Sequence, residues 1–242
     1  LSNLSAFERF ANFAYIPLPG GAAAIKNPAR IAYGALWAFD LLDHPVAQAF
    51  IKSSLSEVDI LERMIEQGIN SPQTSSVGRL FDAASALLGI CTHPRCEGEA
   101  AILLEASLYP YLFREVQSAP SLDAAELTAK TNETQANELA AGQKNESYAD
   151  KNSCTESFAK QRNFDSQELE QHAEAYRIEL VKNVATKQSS AEDTSVLLLD
   201  AAGLFKALLD DIQAGLPTGF IAQCFHDAFV RVLVEMAELV RA

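Results

Sequence analysis

Apolar residues recur every three or four positions through much of the chain, and this spacing predicts amphipathic helices. The first predicted helix has Asn27 as its cap and begins with Pro28, because asparagine is a good capping residue and proline suits the first helical position. Its inward face consists of Ile31, Ala35, Phe39 and Leu42. His44 and Pro45 are predicted to end this helix, because the residue before a proline disfavours helical geometry.

Further helices are predicted wherever the same spacing lies between a polar start and a glycine or proline stop. These helices run from Ser56 to Gly68, from Ser76 to Gly89, over 98–108, from Asp200 to Gly215 and from Thr218 onwards. Asp200 is expected to cap the helix that follows it. The last helix carries apolar residues with few breaks, so we expect it to be largely buried.

Three kinds of segment depart from the helical pattern. The run YIPLPGG, at 15–21, contains two prolines and two glycines and predicts a shaped loop without regular structure. From about 118 to 172 polar residues dominate, which predicts a mobile insertion. Two short apolar runs at 175–181 and 195–200 predict strands. The fold class is therefore α/β and predominantly helical. Its parts are a helical segment at 1–117, the insertion at 118–172, and short strands with two helices at 173–242.

Composition narrows the classes of function. The chain has 242 residues and a formal net charge of −13, from 19 basic and 32 acidic side chains. This charge does not attract polyanions, so no nucleic-acid partner is expected. No apolar run reaches the roughly 18 residues that would cross a membrane. Four cysteines and no cationic apolar leader favour a reducing compartment, so we expect a cytoplasmic protein with no membrane partner.

The stretch NSPQTSSVGRLFDAASALLG, at 70–89, combines polar chemistry with a helix start. Ser75 or Ser76 could cap the helix, and Gly78 would let an anion approach its first turn. Arg79 strengthens this hypothesis, because a cation in the first turn opposes the helix dipole and needs a negative partner. Asp82 is the alternative partner, since an i, i+3 ion pair would neutralise Arg79 within the helix.

Two other clusters are weaker candidates. Gly20 and Gly21 could present backbone N–H groups to a phosphate, although a plain turn before a helix explains them equally well. Cys91, His93 and Cys96 lie close together, but no second Cys/His pair completes a four-ligand site, so no metal is expected to bind within this chain.

Four blocks, taken in order, resemble the HypF family of carbamoyltransferases. They are LPGGAAAIKNPARIAYGAL at 18–36, NSPQTSSVGRLFDAASALLGI at 70–90, CEGEAAILLEA at 96–106 and LLLDAAGLFKALLDDIQAGLPTGFIAQCFHDAF at 197–229. The resemblance implies the helix-rich part of an ASKHA-like transferase domain, a fragment of a longer enzyme. It also implies that Gly20, Gly21, Ser75, Ser76, Gly78, Arg79 and Asp82 bind nucleotide or carbamoyl-adenylate. The sequence departs from the family pattern at Ala22, commonly Asp, and at Cys96, commonly Tyr.

The same resemblance implies an activity. The family makes carbamoyl-adenylate from carbamoyl phosphate and ATP, and passes the carbamoyl group to the C-terminal cysteine of HypE during cyanide-ligand synthesis for [NiFe]-hydrogenase. A divalent metal belongs to the full-length domain, with ligands expected outside this chain, so the isolated chain is expected to be inactive. The alternatives are an O-carbamoyltransferase or threonylcarbamoyl transferase of related fold, and a non-catalytic helical module that docks a partner protein.

Overall fold

The computed structural model describes residues 9–108, 166–182 and 197–241, and these residues are mainly helical. The helices are α1 (Ala22–Lys26), α2 (Pro28–Ala38), α3 (Pro45–Ser54), α4 (Val58–Glu66), α5 (Val77–Leu87), α6 (Glu99–Ala106), α7 (Ser166–Ala175), α8 (Ala202–Ala214) and α9 (Thr218–Arg241). The strands are β1 (Ala11–Phe13), β2 (Ile16–Pro17), β3 (Gln73–Thr74), β4 (Glu179–Lys182) and β5 (Leu197–Asp200). The predicted α/β, predominantly helical fold is confirmed.

The strands form two small sheets. In the first, β5 lies between β1, to which it is parallel, and β4, to which it is antiparallel. In the second, β2 pairs antiparallel with β3, Ile16 opposite Thr74 and Pro17 opposite Gln73. The prediction that YIPLPGG has no regular structure is therefore wrong for Ile16 and Pro17. A proline is tolerated there because a two-stranded ribbon has open edges, where a missing N–H costs no hydrogen bond.

Helix α2 begins as predicted, but the chain after it does not follow the prediction. The Asn27 side chain accepts a hydrogen bond from the Ala29 N–H at 3.2 Å, with Pro28 in the first turn. The helix ends at Ala38, and the His44-Pro45 pair that was expected to end it starts α3 instead. His44 Nδ1 accepts from the Val46 N–H at 3.2 Å, because a proline that cannot continue one helix suits the first turn of the next.

Helices α2, α3 and α4 enclose one apolar cluster. Its buried members are Ala29, Tyr33, Ile51, Leu55, Leu61 and Ile65. Burial raises the pKa of Tyr33 to about 12, and Glu62 nearby adds to this rise. Glu57, rather than the predicted Ser56, occupies the position before α4 and forms an ion pair with Arg30 of α2. The α4 start is therefore held by α2 and not by a serine cap.

Helix α2 also approaches β2 closely, at Gly34. A Cβ atom added to Gly34 would lie 2.1 Å from the carbonyl oxygen of Pro17. Such a distance is far inside van der Waals contact, so only glycine fits at this crossing. The β2–β3 ribbon, which carries the candidate site, therefore packs directly against the backbone of α2.

Helices α8 and α9 form the second part of the core. The Phe205 ring packs at 5.3 Å from Phe39 and at 6.0 Å from Phe225, in centroid distances. The Asp200 side chain accepts from the Ala202 N–H at 2.8 Å, but Ala201 rather than the predicted Asp200 occupies the cap position of α8. Gly215 ends α8 with a φ of 75°. Helix α9 starts at Thr218 as predicted.

The prediction that α9 is largely buried is wrong for its second half. Its buried residues lie between Phe220 and Val232. Beyond Val232, only Met236 is partly buried and the other described residues are exposed. The apolar pattern continues along the helix, but no described element of the chain lies over it at that end.

Helix α7 overlaps the end of the predicted insertion at 118–172, whose part at 118–165 lies outside the described residues. The helix is anchored by Asp211 of α8, which is 2% exposed. Its carboxylate contacts His172 Nδ1 at 2.5 Å and accepts a hydrogen bond from the Tyr176 hydroxyl at 2.8 Å. Burial nevertheless raises the Asp211 pKa, against the lowering effect of both partners. No helix among the described residues is long and apolar enough to cross a membrane.

Candidate functional site

The β2–β3 ribbon brings two of the predicted binding segments together. Antiparallel pairing continues beyond the two strands, with Leu18 N–H donating to Pro72 O and Gly20 N–H to Asn70 O, both at 2.9 Å. The glycine pair therefore lies beside Asn70, at one end of the ribbon. Ser75 follows Thr74, the last residue of β3, and lies five positions after Asn70 along the chain. The predicted site residues thus fall into two groups.

The first group, Gly20 and Gly21, forms a tight turn before α1. Both have positive φ angles, of 96° and 54°. Their N–H groups donate to Asn70 O at 2.9 Å and to Leu18 O at 2.8 Å. Both amides are therefore used within the chain, as the turn interpretation expects. A phosphate would have to displace one of these bonds, and the binding role of the two glycines stays a prediction.

Arg30 is a residue of this group that the sequence analysis missed. A Cβ atom added to Gly20 would lie 2.5 Å from Arg30 Nη1, so the guanidinium lies against the glycine backbone. Arg30 also forms the ion pair with Glu57. The sequence contained a signal for this contact, because the side chain of a basic residue in the first turn of a helix points back towards the preceding loop.

The second group lies at the start of α5. Ser76 occupies the cap position, with extended backbone, but its hydroxyl makes no capping hydrogen bond. Its own N–H donates to Thr74 Oγ1 at 3.2 Å. Gly78 lies in open space as far as the described residues are concerned, because among them an added Cβ atom would meet only Ser76 Oγ, at 3.7 Å. The first turn of α5 therefore has room for a bound group beside Gly78.

Arg79 and Asp82 form an ion pair. From the sequence alone, such a pair is the alternative to an anionic ligand beside Arg79. Arg79 Nη1 lies 2.9 Å from Asp82 Oδ2, and the two side chains are only 14% and 7% exposed. The pair is thus buried rather than a contact on the solvated surface. Burial raises the pKa of Asp82, while Arg79 lowers it and Glu97 raises it. The binding role of both residues stays a prediction.

We expect this raised pKa to appear in the pH dependence of stability. At pH values between 3.8, the ordinary pKa of an Asp side chain, and the higher pKa of Asp82 in the folded protein, Asp82 is protonated in the folded state and ionised in the unfolded state. The contribution of Asp82 therefore favours folding at low pH and declines as the pH rises through that window. Urea unfolding of the protein and of Asp82→Asn at a series of pH values measures this contribution as the difference between them. A difference that changes in the opposite direction would contradict the burial argument.

The loop between α5 and α6 is closed by a charged pair. Arg95 donates to Glu99 Oε1 from Nε at 2.8 Å and from Nη2 at 2.6 Å. The hydrogen bonds from Arg95 hold the pKa of Glu99 below its usual value. Cys91, by contrast, is buried, and burial raises the pKa of its thiol. Among the described residues no three His, Cys, Asp or Glu side chains are arranged to hold a metal ion.

An aromatic contact joins α5 to α9 one turn beyond Gly78. The Phe81 ring lies 5.1 Å from His226 and 5.0 Å from Phe229, in centroid distances. His226 Nδ1 bonds to Ala222 O at 2.7 Å, and the ring is half-buried. The α5 start is therefore supported by α9 through these rings, although the two segments are far apart in sequence.

Comparison with known proteins places this arrangement in a family. A family model described as "Carbamoyltransferase, Kae1-like Domain, second subdomain" matches residues 1–161. Carbamoyltransferase HypF of Rhodobacter capsulatus is 40% identical over 107 residues, which are 44% of this chain and 14% of that protein. The carbamoyltransferase HypF homolog of Cupriavidus necator is 35% identical over 104 residues, 43% of this chain and 26% of that protein.

Solved structures agree in fold. Full-length HypF in its phosphate- and nucleotide-bound form superposes with a TM-score of 0.64 at 24% identity, covering 99% of this chain and 26% of that one. HypF of T. kodakarensis superposes with a TM-score of 0.53 at 21% identity, and the match covers 97% of this chain and 22% of that one. The chain thus spans about a quarter, or less, of the length of these proteins. Because the family model matches residues 1–161 of 242, the chain belongs to the HypF carbamoyltransferase family, in the second subdomain of its Kae1-like domain.

Proposed function

We propose that this chain forms part of the transferase domain of an enzyme that moves a carbamoyl group from carbamoyl-adenylate to the C-terminal cysteine of HypE. The carbamoyl-adenylate is made from carbamoyl phosphate and ATP, and the transferred group becomes the cyanide ligand of [NiFe]-hydrogenase. The observation that supports this proposal most is the family match over residues 1–161. The nucleotide in the similar full-length HypF supports ATP or its adenylate as the ligand.

Within the chain, we assign the ligand to the start of α5. An eleven-residue helix points its first-turn N–H groups towards any anion at its N-terminus, and Ser76 places no side chain on them. The space beside Gly78 admits a bound group, and the Phe81–His226 contact limits its extent along the helix. A phosphate of the adenylate fits this position by charge. The Arg79–Asp82 pair then shapes the wall behind it and is not free to neutralise the phosphate.

The role of these residues is binding and orientation. The described residues place no acid or base of suitable geometry at the α5 start, so we assign no proton transfer to them. A divalent metal of the full-length domain would have its ligands outside this chain, as the resemblance to the HypF family implies. When bound, such a metal would neutralise phosphate charge.

The test uses a chimaera in which this chain replaces its counterpart in the full-length HypF of known structure. With radiolabelled carbamoyl phosphate and ATP, we expect the label to appear on the C-terminal cysteine of HypE. Gly78→Ala should lower this transfer at least about tenfold, because the new methyl group occupies the space of the ligand at the first turn. Gly203→Ala makes the same change at the start of α8, where an added Cβ meets Arg177 O at an ordinary 3.4 Å, and should leave transfer unchanged.

Two outcomes separate the parts of the proposal. Normal transfer by Gly78→Ala removes the assignment of the ligand to α5 but leaves the activity. Label that never reaches HypE in a folded chimaera that still binds ATP contradicts the proposed acceptor.

A further inference from the structure

The exposed half of α9 carries a row of apolar side chains on one face. Val230, Leu233, Val234, Ala237 and Val240 recur at the three- and four-residue spacing of a helix stripe, and all five are exposed. Leu233 is 61% exposed and Val230 is 58% exposed. Soluble proteins seldom leave a continuous apolar stripe open to water, and such stripes mark surfaces that another segment covers.

The strand β1 ends the sheet with an open edge. Leu197 N–H donates to Phe10 O and Ala14 N–H donates to Leu199 O, so the alternate residues Ala11 and Phe13 direct their main-chain groups away from β5. No strand within 9–108, 166–182 or 197–241 pairs with that side.

The two edges of this sheet differ in charge. The opposite edge strand, β4, contains Glu179 and Lys182, and charged residues are a common protection of a free edge. The sequence of β1 is Ala-Asn-Phe, without charge. Parallel pairs such as β1 and β5 also occur mainly inside larger sheets that are covered on both faces. The β1 edge is therefore suited to receive a further strand.

The open edge and the apolar row belong to one surface. The Phe13 ring of β1 lies 5.7 Å from the Phe229 ring of α9, in centroid distance, and Phe229 lies one helical turn before Leu233 of the row, on the same side of the helix. A segment that pairs with β1 therefore also meets the start of the row. We call this continuous region the β1–α9 surface.

We propose that the β1–α9 surface is covered by another segment of the same carbamoyltransferase chain, one that lies outside these 242 residues. This segment adds a strand beside β1 and places apolar side chains on the α9 row. The length of the family's proteins supports this occupant: nearly all of this chain aligns with full-length HypF, yet it accounts for only 26% of that protein. The inference rests on family membership and not on the site at α5.

The experiment measures how well the surface is covered, with a cysteine as the probe. Leu233→Cys is made in the 242-residue chain and in the HypF chimaera, and its reaction with a maleimide reagent is followed by peptide mass spectrometry. Ile60→Cys on α4 is the matched control, because Ile60 is 59% exposed and is not part of the β1–α9 surface. We expect position 233 to react at least about tenfold more slowly in the chimaera, and position 60 to react equally in both. Amide exchange of a peptide covering β1 should slow in the chimaera as well.

Each other result overturns the proposal. Equal reaction of position 233 in both proteins means that the remainder of the chain does not cover α9. Slow reaction already in the 242-residue chain means that the chain covers the row by itself. If that slow reaction disappears on dilution together with a dimer seen by sedimentation, a second copy is the occupant. None of these readings requires an active enzyme, so failure here and failure of carbamoyl transfer are distinguishable.

Discussion

Replacing Gly34 by alanine should lower the free energy of unfolding by about 2–3 kcal/mol, the cost of forcing extra volume into a packed contact. The added Cβ would lie 2.1 Å from the Pro17 carbonyl oxygen, which belongs to the backbone and cannot rotate away. Either α2 or the β2–β3 ribbon must then shift. Urea unfolding followed by circular dichroism measures the loss.

Gly78→Ala is the matched control for this prediction, because it makes the same change in another helix of the protein. Its surroundings are open, so alanine should raise the free energy of unfolding by about 0.5–1 kcal/mol through its better helix propensity. A Gly34→Ala variant as stable as Gly78→Ala would show that α2 and β2 do not touch as described. The same Gly78→Ala protein serves the transfer assay, where a stable but inactive variant points to a lost ligand contact.

Arg79→Ala should lower the free energy of unfolding by about 3 kcal/mol, because it leaves the Asp82 carboxylate buried without its partner. The two side chains are 14% and 7% exposed, so water cannot replace the guanidinium fully. In the double variant Arg79→Ala/Asp82→Ala we expect a large share of this loss to be recovered, since no buried charge remains. Urea unfolding of the two single variants and the double variant gives the coupling energy.

The exposed pair Lys206–Asp210 is the control for burial. Its nitrogen and oxygen lie 2.6 Å apart on α8, and the side chains are 62% and 46% exposed. Lys206→Ala should therefore cost no more than about 0.5 kcal/mol, as exposed helix pairs do. Similar losses for Arg79→Ala and Lys206→Ala would contradict the burial of the first pair. Because Arg79→Ala is expected to lose stability, a loss of activity in this variant alone does not identify a contact between Arg79 and a ligand.

Helix periodicity predicted the parts of the fold that depend on local sequence. Asn27 with Pro28, Asp200, Gly215 and Thr218 mark helix ends close to their observed positions, because caps act within a few residues. Helix α3 was missed because the His44-Pro45 pair is compatible both with an end and with a start. Only the contact of its buried residues with α2 and α4 decides between them.

The candidate site shows where local reasoning stops. The i, i+3 spacing of Arg79 and Asp82 allowed an ion pair, but their burial comes from helices packed around α5. The hydrogen bonds of Gly20 and Gly21 could not be predicted from local sequence either. Their amides donate to Asn70 O and Leu18 O, in a ribbon that no local pattern predicts. His226 reaches α5 only through the tertiary fold. Such contacts join residues that are far apart in the sequence, and no repeating pattern of residues predicts them.

The parallel pairing of β1 and β5 also sets an order of events during synthesis. Ala11 pairs with Leu197, so the first strand cannot find its neighbour until nearly the whole intervening chain has left the ribosome. At bacterial and eukaryotic elongation rates this delay is on the order of ten to forty seconds. Contacts of such long range are also slow to close once the chain is released. Helices α2 and α5, which pack on each other, can meet during that interval, whereas the contacts of α5 with α9 and the pairing of β1 with β5 must wait for the later part of the chain.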